Sequence, residues 1–283
     1  MNLRTKICRR LAKSGAKQHK NGAWRWQAFA YTLAHKMAFS DYEKCLTGCH
    51  TLAGLLHDSD KLFLYMVPWM SQKQIHDFHR KHRSHHMEAK QSRVEHLVQT
   101  YIDWECAAMT KPDKPLDAFA TLIHYYNDKL ALMVPVCLAM NPLSVLPYIA
   151  DVSKNKMQDG SRGLFAKNGN GANKRIYDEV VRIMGNILFE LKKMAREVDG
   201  ELFNLDELMA KMPRELVIMK PVTIFLQTLA VLAKRRRQKI NLAESVRFME
   251  NKLTTFGKYQ KFLRTTRYDY DTNYLCYNPF LEW

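Results

Sequence analysis

Residues 94–109 read VEHLVQTYIDWECAAM. Val94, Leu97, Val98, Tyr101, Ile102, Glu105, Ala108 and Met109 recur at intervals of three and four. That spacing gathers side chains on one face of an α-helix, whereas a strand would scatter them over two faces. The same periodicity extends outward. Residues 71–109 read as one or two helices, and 23–38 and 41–57 as good helix formers before them. Lys111-Pro112-Asp113-Lys114-Pro115 reads as a turn, followed by a helix over roughly 116–134. Further helices are expected near 174–198, 205–212, 214–237 and 241–264, the last opened by Asn241-x-x-Glu244 as a capping box. No segment alternates as a strand, and eleven Gly with nine Pro are too few for an all-β chain. The expected fold class is therefore all-α.

The chain has 283 residues, 47% of them hydrophobic and 25% charged, which excludes a disordered, collagenous or disulfide-framed protein. Residues 151–174 are rich in Gly, Asn and Lys or Arg and read as a linker or long loop. The expected division is a basic N-terminal segment 1–24, a helical domain 25–150, the linker 151–174 and a basic helical region 175–283 with an aromatic tail. Leu130 to Ala150 carries no charge, yet Pro135, Pro142 and Pro147 would break a membrane helix. A buried, Pro-broken helical hairpin is expected there, and no transmembrane segment. Six scattered Cys and no signal peptide point to a reducing, cytoplasmic compartment.

The net charge is +16. It sits at the ends: residues 1–25 carry eight basic and no acidic side chains, residues 26–150 twelve of each, and residues 234–283 eleven basic and five acidic. Basic ends suit nucleic acid, another polyanion or an anionic surface. Lys234, Arg235, Arg236, Arg237 and Lys239 form the densest run. They are the expected polyanion contact, against the plainer reading of cations at a helix C-terminus. Leu3, Ile7 and Leu11 share one face of a basic N-terminal helix.

The chemistry lies between His35 and Asp103, where nine of eleven His fall within residues 35–96. Imidazole and carboxylate are the usual ligands of divalent transition metals. If the chain is helical there, His82, His85 and His86 share a face, as do His79, His82 and His86. Cys45-x-x-x-Cys49-His50 has no second Cys pair at finger spacing and reads as buried thiols. Gly169-Asn170-Gly171 lacks the spacing and ending of a P-loop.

His57-Asp58-Ser59-Asp60-Lys61, then His82-Arg83-Ser84-His85-His86, then Asp103-Trp104 resemble the HD-domain metal-dependent phosphohydrolases. The nearer likeness is to an uncharacterised HD-like family of bacteria and phages. The resemblance covers about residues 25–127 and implies an HD-like helical bundle, with an additional C-terminal helical region beyond it. It implies a bacterial, or phage-encoded, cytoplasmic protein. It implies a first metal held by His35, His57, Asp58 and Asp103. A second ion near His82, His85 and His86 would share Asp58 as a bridge. It implies a divalent transition ion (Mn, Fe, Zn, Co or Ni) and a phosphorylated substrate, a nucleotide foremost. Lys61 would offset phosphoryl charge, and His85 or His86 would protonate the leaving oxygen.

Two alternatives stay open on the residues themselves. His50 competes with His35 as first ligand. Asp103 lies about 160° from the centre of the 94–109 apolar stripe at about 100° per residue, while Glu105 lies at that centre and needs a partner. A second function class is a non-enzymatic nucleic-acid-binding or assembly protein, such as a phage component, built on a degenerate HD-like core. A third is a peripheral membrane protein that uses residues 1–20.

Overall fold

The computed structural model describes residues 3–15, 24–110, 117–142, 145, 171–197, 219–252, 278 and 280–282. The chain is all-α, with two short strands among the described residues. These residues divide into two units: those within 1–92 and 96–118, and those within 93–95 and 119–283.

In the first unit, α1 (Leu3–Gly15) lies on α2 (Trp24–Thr47). Small residues permit the close approach: Cys8 and Ala12 are buried one turn apart, and the Cys8 thiol donates to the Ala34 carbonyl at 3.2 Å. Leu3 and Ile7 lie on the exposed side of α1. α2 is buried along most of its length, at Ala28, Ala34, His35, Ala38, Phe39, Tyr42, Glu43 and Leu46 among others. A helix buried this broadly can present polar side chains to an interior.

α3 (Leu52–Leu55) and α4 (Ser59–Leu64) follow on a tight path. Buried Glu43 anchors that path by accepting from the Thr51 N–H at 3.1 Å and from Gln99 Nε2 at 2.8 Å. Gly54 passes so close to this carboxylate that a Cβ there would lie 1.9 Å from Glu43 Oε2. Beyond α4, Arg25 donates to the carbonyls of Tyr65, Val67, Pro68 and Met70 at 2.7–3.0 Å. One guanidinium thus fixes the turn into α5 (Gln72–His82), which opens on a Ser71–Gln74 capping box. Ala28, Tyr65 and Ile75 pack together beside it. α6 (Val94–Thr110), from His96 onward, completes the unit.

In the second unit, α7 (Ala118–Tyr125) leads to α8 (Leu130–Met140), which is buried from Met133 to Met140 with Pro135 inside it. The uncharged stretch is thus a core helix here, and no described helix is long and apolar enough to cross a membrane. α9 (Gly171–Glu197), α10 (Pro221–Arg236) and α11 (Leu242–Lys252) pack around it or one another. Asn241 Oδ1 accepts the Glu244 N–H at 2.8 Å, the N-cap half of the expected box. β1 (Lys239–Ile240) pairs antiparallel with β2 (Leu281–Glu282). Next to it Phe280 packs edge-on against Phe225, and Asn278 donates to the Ala139 carbonyl at 2.8 Å. The described end of the aromatic tail therefore docks on this unit's own core. The expected 111–115 turn, the 205–212 helix, residues 151–170 of the linker and the cations from Lys258 to Arg267 lie outside the described residues.

Candidate metal centre

Every side chain of the candidate site belongs to the first unit. α2 contributes His35. The turn between α3 and α4 contributes His57 and Asp58. α5 contributes His79, the turn after it His85 and His86, and α6 Asp103 and Cys106.

Asp58 is the hub. Its backbone adopts φ 55°, ψ 9°, a left-handed conformation that Asp tolerates better than most residues. Lys36, reaching from α2, donates to the His57 carbonyl at 3.1 Å, to Ser59 Oγ at 2.8 Å and to the Leu55 carbonyl. That clamp fixes the turn. Asp58 Oδ2 accepts from Lys61 at 2.9 Å. Asp58 Oδ1 lies 2.8 Å from His79 Nε2 and 3.7 Å from both His57 Nε2 and His85 Nε2. The rings of His85 and His86 are 4.4 Å apart, as are those of His57 and His85, and His79 is 4.7 Å from His86.

On the α6 side, His35 Nε2 donates to Asp103 Oδ1 at 2.7 Å, and its Nδ1 lies 3.2 Å from Thr110 Oγ1. His57 Nε2 is 3.3 Å from the same Asp103 oxygen, with its ring stacked on Phe39 at 3.8 Å. Cys106 Sγ lies 3.6 Å from His35 Nδ1 and donates to the Asp103 carbonyl at 3.2 Å.

Charge and burial compete here. Burial pushes the Asp58 carboxyl up, yet the Lys61 ammonium and the surrounding His hold it well below the usual carboxylate range. Burial likewise opposes ionisation of Asp103, and the hydrogen bond from His35 together with the nearby His57 ring overcomes it. Burial lowers His57 to about 4 and His86 to about 2, so both rings are neutral at pH 7 with a lone pair to offer. His79 is the opposite case: burial would lower it, but Asp58 and Asp60 on either side raise it above its ordinary value.

Among the described residues, three sets of ligand atoms lie within 4.8 Å of one another: Asp58 with His79, His85 and His86; His35 with His57 and Asp58; and His35 with Asp103 and Cys106. Four ligands around one tetrahedral ion stand roughly 3.3 Å apart, given bonds of about 2.0–2.1 Å. The donor chemistry fits a transition ion. Six buried atoms of this cluster have no hydrogen-bond partner: both nitrogens of His57, Asp58 Oδ1, and Nε2 of His79, His85 and His86. Buried polar atoms are ordinarily paired, so this many in one place marks a site for a ligand.

The structure thus brings together His35, His57, Asp58, His85, His86 and Asp103. It does not bring in His82, which is exposed, donates from Nδ1 to the Phe78 carbonyl at 2.7 Å and stacks on the Phe78 ring. The shared helical face assumed for residues 82, 85 and 86 does not exist. α5 stops at His82, and Arg83 is extended at φ −103°, ψ 119°. His85 and His86 come from the following turn, held where Thr100 Oγ1 donates to the His85 carbonyl at 2.7 Å and Gln91 to the His86 carbonyl at 3.1 Å. His79 takes the place assigned to His82. Its signal was its position four residues after Ile75, on the buried face of α5.

His50 is exposed beside Ser40, away from the cluster. Glu105 is buried and accepts the Ala118 N–H at 3.0 Å, so Asp103 and not Glu105 faces the His groups. Lys61 is nearly enclosed and paired to Asp58. In the second unit Lys234, Arg237 and Lys239 are exposed, whereas Arg235 and Arg236 are half-buried. No protein-family model, curated protein or solved structure matches this chain.

Proposed function

We propose that the protein is a metal-dependent phosphohydrolase or phosphodiesterase of HD type, acting on a nucleotide or another phosphorylated substrate. The observation that carries this reading is the convergence of His35, His57-Asp58, His85-His86 and Asp103, drawn from separate segments in the order of the HD-like motifs. These residues, with His79, would hold one or two divalent transition ions. A bound ion supplies Lewis-acid chemistry, making hydroxide available near neutral pH.

The chain's own groups account for the remaining requirements. Water attacks phosphorus, the bond to the leaving oxygen breaks, and that oxygen needs a proton. Lys61 keeps Asp58 ionised and adds positive charge beside the phosphoryl oxygens. His85 and His86 are only partly buried, so they border the side from which a substrate enters. His86, lowered to about 2 by burial, carries no proton to give near neutral pH, so His85 is the residue of the pair that would protonate the leaving oxygen. The exposed Lys234, Arg237 and Lys239 support a separate polyanion contact within the same proposal.

The test uses protein purified without a His-tag, loaded in turn with Mn, Fe, Co, Ni or Zn, and assayed on nucleotides and simple phosphate mono- and diesters. Turnover that disappears on chelation, returns with metal and is lost in Asp58→Ala is expected. Metal-loaded protein that hydrolyses none of these esters overturns the reading and leaves a binding protein.

A further inference from the structure

We infer that the principal ion site is Asp58, His79, His85 and His86, with Asp60 and Arg83 as its positioning residues, and not the His35–His57–Asp58–Asp103 set that the HD resemblance implies. The inference rests on the metal-binding half of the function proposed above and deepens it.

The two candidate sets differ in how their atoms are already engaged. In the His35 set, His57 Nε2 and Asp58 Oδ1 have no hydrogen-bond partner, but His35 Nε2 and Asp103 Oδ1 satisfy each other at 2.7 Å, and His35 Nδ1 faces Thr110. An ion there would first have to break a buried, charge-assisted hydrogen bond. In the Asp58–His79–His85–His86 set, every converging atom is buried and without a hydrogen-bond partner: Asp58 Oδ1 and the three Nε2 atoms. His79 Nε2 and Asp58 Oδ1 form an ion pair at 2.8 Å, and neither atom has a hydrogen-bond partner. Adjacent ligands of one ion stand at such separations, roughly 3 Å. Three imidazoles and one carboxylate make four protein ligands, so an ion that also takes the water of the proposed chemistry would be five-coordinate.

A second set of contacts arranges these ligands. Asp60 receives His79 Nδ1 at 3.0 Å, which directs Nε2 to the cluster. Arg83 Nε donates to the same Asp60 oxygen at 2.8 Å. Arg83 is the extended residue between α5 and the turn that carries His85 and His86. One carboxylate, two residues after Asp58, therefore ties together the α4 turn, α5 and the His85-His86 turn.

The experiment titrates Zn2+ into the full chain against a chromophoric chelator, with no substrate present, and repeats it with Co2+ to read the visible spectrum. One tightly held ion with a four- or five-coordinate Co2+ spectrum is expected. His85→Ala and His86→Ala, at partly buried positions, should each weaken binding by at least a hundredfold, and His79→Ala likewise. His35→Ala should cost less than tenfold. Asp60→Ala should lose roughly 10–100-fold, with Asp60→Asn recovering part of it because its carbonyl still accepts from Nδ1. A merely structural role for Asp60 would lower the melting temperature and leave the Co2+ spectrum unchanged. The site is overturned if wild type binds no ion, or if His35→Ala abolishes binding while His85→Ala and His86→Ala bind like wild type. The positioning role is overturned if Asp60→Ala binds as wild type. Because no substrate is present, failure of the hydrolase reading is seen separately, as a metal-loaded protein without turnover.

Discussion

Lys36 shows how one residue outside the ligand set governs it. The left-handed Asp58 backbone costs roughly 1–2 kcal/mol for an L-residue. The Lys36 ammonium offsets this by satisfying two carbonyls and Ser59 in the same turn. Lys36→Met keeps the stem and removes the donors. It should destabilise the protein by about 1–3 kcal/mol, measured by urea unfolding, and weaken ion binding because Asp58 is no longer held. Unchanged affinity would show that the turn is set by other contacts. The titrating residues give a second expectation. His57 and His76 are each lowered by burial to about 4, from an ordinary 6.5. Each binds a proton on unfolding before it can bind one folded. Their contribution to stability is complete above about 6.5 and is lost as pH falls toward 4. His79, with a raised value, works in the opposite direction, its contribution fading as pH rises through that value. His86, lowered further still, adds to that loss, and His79 acts only above 6.5, so stability falls on acidification from 6.5 to 4. The urea midpoint of metal-free protein should fall over that window, and less steeply in His76→Gln.

α6 is the element whose two faces explain what the sequence could and could not convey. Its three-and-four spacing identified the helix and its apolar face, and Leu97, Val98, Tyr101 and Ile102 are fully buried. A periodicity argument assumes one buried face, however, and α6 is buried on the Asp103 side as well. Glu105, central to the apolar stripe, serves the chain beyond the helix by accepting the Ala118 N–H. Glu105→Ala strands that buried donor and should cost about 1–3 kcal/mol with ion affinity retained, whereas Asp103→Ala alters the His35 and His57 surroundings. Thermal unfolding alongside ion titration separates the two, and loss of ion binding in Glu105→Ala would contradict the assignment. α5 failed in another way. Residues 76–86 contain no Pro or Gly to announce an end at His82. The break is made by tertiary contacts, from Arg83 to Asp60 and from Thr100 to the His85 carbonyl, and no local pattern encodes them. The His-Asp-x-x-Lys element was more legible because its parts meet locally: Lys61 reaches Asp58 within one turn.

At the scale of the whole molecule, the candidate metal ligands and the densest basic run fall in different units, the first within 35–106 and the second within 234–239. α10 ends at Arg236 with Arg237 in a left-handed C-cap at φ 56°, so the run does sit at the negative end of a helix dipole. A helix terminus and a polyanion contact make different demands on the same cations. The terminus needs charge near the last carbonyls and is indifferent to exposure. A phosphate contact needs exposed ammonium or guanidinium groups. Lys234 and Lys239 are exposed, while Arg235 and Arg236 are half-buried and therefore poorer probes. Replacing Lys234 and Lys239 together with Ala should weaken binding to a duplex or single-stranded oligonucleotide. It should also flatten the log–log salt dependence by about one unit for each phosphate that is no longer neutralised. Because both residues lie outside the unit that carries the ligands, Zn2+ affinity and turnover of a small phosphate ester should stay at wild-type values. If the double variant binds nucleic acid as wild type does at every salt concentration, the run is a helix terminus only. If it loses Zn2+ as well, the two units depend on each other energetically, and the separation of recruitment from metal chemistry is wrong.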